Sequence, residues 1–262
     1  MTNNFTFNLK PVNDAGEYLV DGTCNGTPPS PPLNAISVSG STVTAKIKKP
    51  GQGVPYCFFV NPAEPTEPAV IIYGIDTGEI AAYYTNTTIV FGWPADLSEY
   101  RLFFVSREVR SPTSGQLAVL MEFLQNGGRL VVIGEYYPFL TDTYRNILNG
   151  ILSDLGVGIQ FNRDRFDDWC LWAGDTNADQ VTSGLSTIGY AATCTLTGGK
   201  WLAKTVTHAE GDDQGGHPFM AVGQPPGMPD RPMHDVVVIG DSNVLCGCEE
   251  YDRTTLVANL LG

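Results

Sequence analysis

Three short runs constrain this chain most: Ala69-Val70-Ile71-Ile72-Tyr73-Gly74-Ile75, Arg129-Leu130-Val131-Val132-Ile133-Gly134-Glu135 and Asp235-Val236-Val237-Val238-Ile239-Gly240-Asp241. Each is apolar without alternation, as a strand covered on both faces must be. Between them the spacing predicts helices. Ser111 is a fitting N-cap and Pro112 a fitting first helical residue. Leu117, Leu120, Met121 and Leu124 follow as an i, i+3, i+4, i+7 stripe, and Asn126-Gly127-Gly128 ends it. A second helix is expected over residues 141–155, with Tyr144, Ile147, Leu148, Ile151 and Leu155 on one face and Gly156 as the stop. Residues 253–261 read as a closing helix.

Further strands are expected at 87–91, 100–105 and 158–161, with short ones near 190–196 and 219–222 in a stretch rich in Gly, Asp and Thr. Strands alternating with helices predict an α/β three-layer sandwich on a mostly parallel sheet.

The first 65 residues follow another pattern. Ten of the 18 prolines lie at or before Pro68, and the Pro-rich stretch 62–68 reads as a linker. Residues 35–48 alternate apolar and polar around Ser39-Gly40, the signature of a hairpin, and 56–60 reads as another strand. The expected organisation is a small, β-rich, Pro-rich arm or module over 1–65 and an α/β domain over 66–262. The arm is too short to bury much core alone and must lean on the main domain or on another chain.

Charge separates the same two pieces. The net charge is −13, from 15 basic and 28 acidic residues. Residues 1–65 hold four of each sign, so the entire excess of acid falls in 66–262. Only 16% of the chain is charged, against roughly 25% for an average domain. No cluster of Lys and Arg could neutralise phosphates, which argues against a nucleic-acid partner. No apolar run nears the ~20 residues of a membrane span, and the first residues lack the basic and apolar stretches of a secretory signal. Lys46, Lys48 and Lys49 are expected to form an interaction face on the arm, docking on an acidic α/β surface through a salt-sensitive contact.

Six cysteines (Cys24, Cys57, Cys170, Cys194, Cys246 and Cys248) are too sparse for a disulfide scaffold. Reduced, buried thiols are the expectation, with a Cys24–Cys57 bridge as the alternative. Cys246-Gly247-Cys248 has the wrong spacing for structural zinc.

Four segments in order resemble the class I glutamine-amidotransferase-like superfamily. They are the helix and strand of 117–133 joined by Gly127-Gly128, the helix of 146–157 ending Leu155-Gly156-Val157, the stretch 181–194, and Val238-Ile239-Gly240-Asp241-Ser242-Asn243 with its following helix. The resemblance covers residues 69–262. It is nearest to non-enzymatic relatives such as domains of intraflagellar-transport proteins and uncharacterised bacterial proteins, and it implies sites at the carboxyl ends of the strands.

Enzymes of that superfamily carry a cysteine on a tight turn between strand and helix, within Gly-x-Cys-x-Gly, partnered by His-x-Glu. The matching stretch here, Ile133-Gly134-Glu135-Tyr136-Tyr137-Pro138, has neither cysteine nor serine. Of His208, His217 and His234, only His208 begins a His-x-Glu, as His208-Ala209-Glu210 in a loop rich in Gly and Asp, and no cysteine or serine stands at the matching turn to partner it. For want of the nucleophile, the resemblance implies a catalytically degenerate domain without the amidotransferase reaction, and no cofactor is expected.

The polar residues expected at strand ends are Asp76, Thr77, Ser106, Arg107, Glu135, Asp241, Ser242 and Asn243. Were Asp76, Glu135 and Asp241 to converge, they could hold a hard cation through oxygen ligands. The plainer expectation is that Asp241 and Ser242 cap a turn and Glu135 caps a helix. The cluster His208, Glu210, Asp212, Asp213 and His217 is read as solvated loop polarity, with a metal as the alternative. Trp169 and Trp172, amid Asp164, Asp167, Asp168, Asp175 and Asp179, are read as core residues, with a carbohydrate or partner surface as the alternative. Three glycosylation sequons begin at Asn4, Asn25 and Asn86, with no export signal beside them.

These readings favour a structural or interaction protein, with protein partners or self-assembly. Low lysine and a Thr/Asn/Gly-rich composition without a signal fit a virion component, such as a capsid decoration or tail protein made in the cytoplasm. The alternatives are a small-ligand or glycan-binding module and a hydrolase using strand-end carboxylates.

Overall fold

The computed structural model describes residues 5–11, 17–24, 36–39, 42–48, 69–73, 87–90, 92–107, 109–166, 172–206, 215–228, 236–245 and 253–262. Strands β1 (Phe5–Pro11), β2 (Glu17–Cys24), β3 (Ile36–Ser39) and β4 (Thr42–Lys48) form an antiparallel sheet in the order β1-β2-β4-β3. The expected hairpin is β3–β4, which closes with Ser39 opposite Thr42. The strand expected at 56–60 lies outside the described residues.

A second sheet has nine strands among the described residues. One half is parallel: β5 (Ala69–Tyr73), β6 (Thr87–Val90), β7 (Tyr100–Val105), β8 (Arg129–Ile133) and, beyond β9–β14, β15 (Val236–Ile239). The other half is antiparallel: β10 (Trp172–Thr176), β11 (Thr187–Tyr190), β13 (Lys200–Lys204) and β14 (Pro218–Gly223), joined to β15 through β14. The spatial order is β11-β10-β13-β14-β15-β8-β7-β5-β6. Strands β9 (Gln160–Phe161) and β12 (Leu196–Thr197) pair as a small separate ladder.

The fold is mixed α/β, and the expectation of a mostly parallel sheet is corrected. Four neighbouring pairs are parallel and four antiparallel. The reason lies in the connections. A parallel pair needs a crossover of a dozen or more residues, usually helical. Among the described residues between 155 and 241 no helix occurs, and the successive strands β10 and β11, joined through residues 177–186, pair antiparallel instead.

Among the described residues three helices cover the sheet: α1 (Ser114–Gln125), α2 (Asp142–Asp154) and α3 (Arg253–Leu261). α1 starts later than Ser111-Pro112 suggested. Its N-cap is Thr113, whose hydroxyl accepts the Gln116 amide while the Gln116 side chain accepts the Thr113 amide. This reciprocal pair satisfies two donors and outcompetes Ser111. α2 is capped by Thr141 and stops at Gly156, at φ +70°.

Residues 102–105 of β7, all of β8 except its first residue, and all of β15 are within 1% of full burial. Phe103, Val105, Leu130, Val132, Val236 and Val238 pack with Leu120, Phe123 and Leu124 of α1 and Leu148, Ile151 and Leu152 of α2. The alternate residues face the side carrying α3, which buries Leu256, Val257 and Leu260. Arg129, the first residue of β8, is buried there and donates through Nη1 to the carbonyls of Asn259 (2.6 Å) and Leu260 (2.8 Å). It thus ties the C-terminal turn of α3 to the central strand.

Candidate functional site

β8 and β15 run parallel and adjacent, so their carboxyl ends emerge side by side. The backbone beyond them is held tightly. Gly134 N–H donates to Ile239 O, Gly240 N–H to Phe219 O, and Cys194 N–H to Gly240 O. A side chain at Gly240 would collide with the Cys194 carbonyl, so only glycine permits this approach.

Asp241 is completely buried and keeps the capping role expected of it. Oδ1 accepts from the backbone and side-chain amides of Asn243, each at 2.9 Å, at the start of a single 3-10 turn, Ser242–Val244. Oδ2 accepts the Ala191 amide at 2.6 Å, binding the turn to the end of β11. Glu135 does not cap a helix. Oε2 accepts the Ser242 hydroxyl at 2.7 Å and Oε1 accepts the Tyr136 amide at 3.1 Å, with both side chains buried. Burial, and then the Asp241 charge, push the Glu135 carboxyl up to about 8; the two hydrogen bonds and the Arg107 charge oppose this only in part.

Cys194 completes the cluster. Its buried thiol donates to Gly240 O at 3.4 Å. Burial, followed by the charges of Asp164, Glu135 and Asp241, raises the thiol well above its ordinary value. Asp164 is held by the Thr195 amide (2.8 Å) and hydroxyl (2.5 Å).

Of the sequence candidates, Glu135, Asp241, Ser242 and Asn243 therefore come together. Asp76, Trp169 and Lys49 lie outside the described residues, as do Cys57, Cys170, Cys246, Cys248, His208 and His234. Trp172 lies on β10 opposite Tyr190, and Lys46 and Lys48 lie on β4 opposite Leu19 and Glu17. His217 stacks on Phe166, with 4.7 Å between ring centroids. Of the acidic stretch, Asp167 and Asp168 lie outside the described residues, Asp164 holds Thr195, and Asp179 pairs with Lys200 at 2.7 Å. Among the described residues no group of three His, Cys, Asp or Glu is placed to hold a metal ion.

One feature beside the cluster was missed. Tyr136, Tyr137 and Phe139 leave the end of β8 together, Tyr137 37% and Phe139 52% exposed. Arg163 stacks on Tyr137 at 4.0 Å, Arg165 on Tyr136 at 4.8 Å and Arg107 on Phe139 at 5.4 Å. The aromatic run was visible in the sequence. The arginines, about 30 residues away on either side, were not visibly its neighbours.

No protein-family model and no curated protein matches this sequence. Solved structures do resemble it. An IFT52 N-terminal domain aligns over 72% of this chain and 94% of its own at 14% identity, with a TM-score of 0.52. A ThuA-like protein from Parabacteroides merdae aligns over 74% of this chain and 88% of its own at 11% identity, with a TM-score of 0.47. A cytoplasmic protein from Salmonella typhimurium aligns over 74% and 97% at 13% identity, with a TM-score of 0.45. At such identities the likeness is one of fold alone, a shared α/β architecture.

Proposed function

We propose that this chain is a non-enzymatic structural or interaction protein, built on an amidotransferase-like domain without its nucleophile. One observation carries the reading: the turn after β8 presents Glu135, buried and hydrogen-bonded to Ser242, where the resembled enzymes place a reactive cysteine. With its carboxyl raised to about 8, Glu135 is mostly protonated at pH 7 and cannot serve there as a strong base for Ser242. The nearby Cys194 thiol is buried and raised, the opposite of what a nucleophile needs. Within this class, the low-lysine composition favours a component of a virus particle.

The test is chemical. The native chain at pH 7–8 should resist alkylation at Cys194 by iodoacetamide and phosphonylation at Ser242 by a fluorophosphonate, both mapped by mass spectrometry. Rapid modification of either residue, with turnover of an ester or amide panel, would overturn the reading.

A second reading is favoured by the 2.7 Å Ser242–Glu135 bond itself: a hydrolase whose serine becomes active above pH 8, as Glu135 ionises. Activity that rises through pH 8 and is lost in both Ser242→Ala and Glu135→Gln would establish it.

A further inference from the structure

The two ends of the central strands differ in shape and charge. At the carboxyl end stand Tyr137 and Phe139, the large hydrophobics exposed among the described residues. They are stacked with Arg163 and Arg107, and Arg145 lies close by, sharing Asp142 with Arg163. In a region holding 11 basic residues against 24 acidic ones, Arg107, Arg145, Arg163 and Arg165 gather here around Asp142. Tyr, Phe and Arg in one exposed patch are also the composition of an interface centre.

At the amino ends of β7 and β8 lies a cavity of about 150 Å³. Its accessible lining is more polar than apolar, with Asp96, Ser98, Glu122 and Asn126 around a floor that includes Tyr100 and Val119. The Ser98 amide holds the Asp96 carboxyl below its ordinary value, so it stays charged. Arg101 also borders the opening and offsets one of the two acids. The five residues of β8 separate the two features by about 15 Å, and they face opposite ways, so one chain cannot fill its own cavity.

We propose that a second copy of this chain docks head to tail, with Phe139 and its arginines entering the acidic cavity of the next copy. This rests on the interaction reading above and names the partner. The contact is heterologous, so each copy keeps one free knob and one free cavity, and assembly continues unless it closes into a ring.

Sedimentation equilibrium of the full chain over a dilution series tests it. Mass should rise with concentration beyond a dimer. Phe139→Glu and Glu122→Arg, both at exposed positions, should each raise the self-dissociation constant by roughly tenfold or more, with unchanged circular dichroism. The two variants mixed should form a heterodimer and stop there, because only one knob and one cavity remain intact. Val119→Trp, which fills the cavity, should behave as Glu122→Arg does. A wild type that stays monomeric, or variants that associate as it does, would overturn the junction. So would variants that fail to complement each other. Persistence of assembly in these variants with its loss in Lys46→Glu/Lys48→Glu would overturn the junction but leave the interaction reading standing, with the arm as its contact.

Discussion

At the residue scale, the Glu135–Ser242 pair converts a surface-type residue into a structural one. A carboxyl ordinarily ionises near 4.5, yet here burial beside Asp241 raises it to about 8. The folded chain therefore holds a proton that the unfolded chain releases between these two values. Stability from this group is fully present below pH 4.5, declines as pH rises toward 8 and is flat above. Glu135→Gln should flatten that decline, gaining on the order of a few kcal/mol over wild type by pH 8. Thermal melts of both proteins from pH 5 to 9 check this. An unchanged difference between them across the range would show that Glu135 is ionised throughout.

At the scale of elements, helix placement depends on termini that hydrophobic spacing does not report. The stripe Leu117, Leu120, Met121 and Leu124 located α1, but the choice between Ser111 and Thr113 was made by Gln116, which only Thr113 can engage reciprocally. Thr113→Ala should cost about 1 kcal/mol, seen as a lower urea midpoint at unchanged slope. α3 depends instead on a distant residue. Arg129 satisfies two carbonyls of its last turn from inside the sheet. Arg129→Met should cost about 2–3 kcal/mol and selectively speed hydrogen exchange across α3. Uniform acceleration over the whole chain would instead assign Arg129 to global stability.

At the scale of the molecule, the β7, β8 and β15 segments are sealed by helices on both sides, so their amides should exchange slowest. Exchange mapped by mass spectrometry should rank residues 102–105, 130–133 and 236–239 above β10 and β11 at the sheet's far side. Equal protection across the nine strands would contradict a core concentrated at the parallel centre.

The central strands, the three helices and the polar residues after β8 and β15 were legible because each is written in a local pattern. Continuous burial needs continuous apolar sequence, and a helix face needs period 3.6. The antiparallel half was not legible, because strands such as β10, with Gly174 and Asp175 in it, carry little period-2 signal of their own. Their pairing came from neighbours already in place. The convergence of Glu135 with Ser242, 107 residues apart, was likewise only a possibility in the sequence. Sequence determined which segments must be buried, since hydrophobicity is a property of each segment alone. Tertiary structure decided which strand runs against which, what meets at their ends, and where the arginines 107, 163 and 165 gather, since those depend on distances between segments remote in the chain.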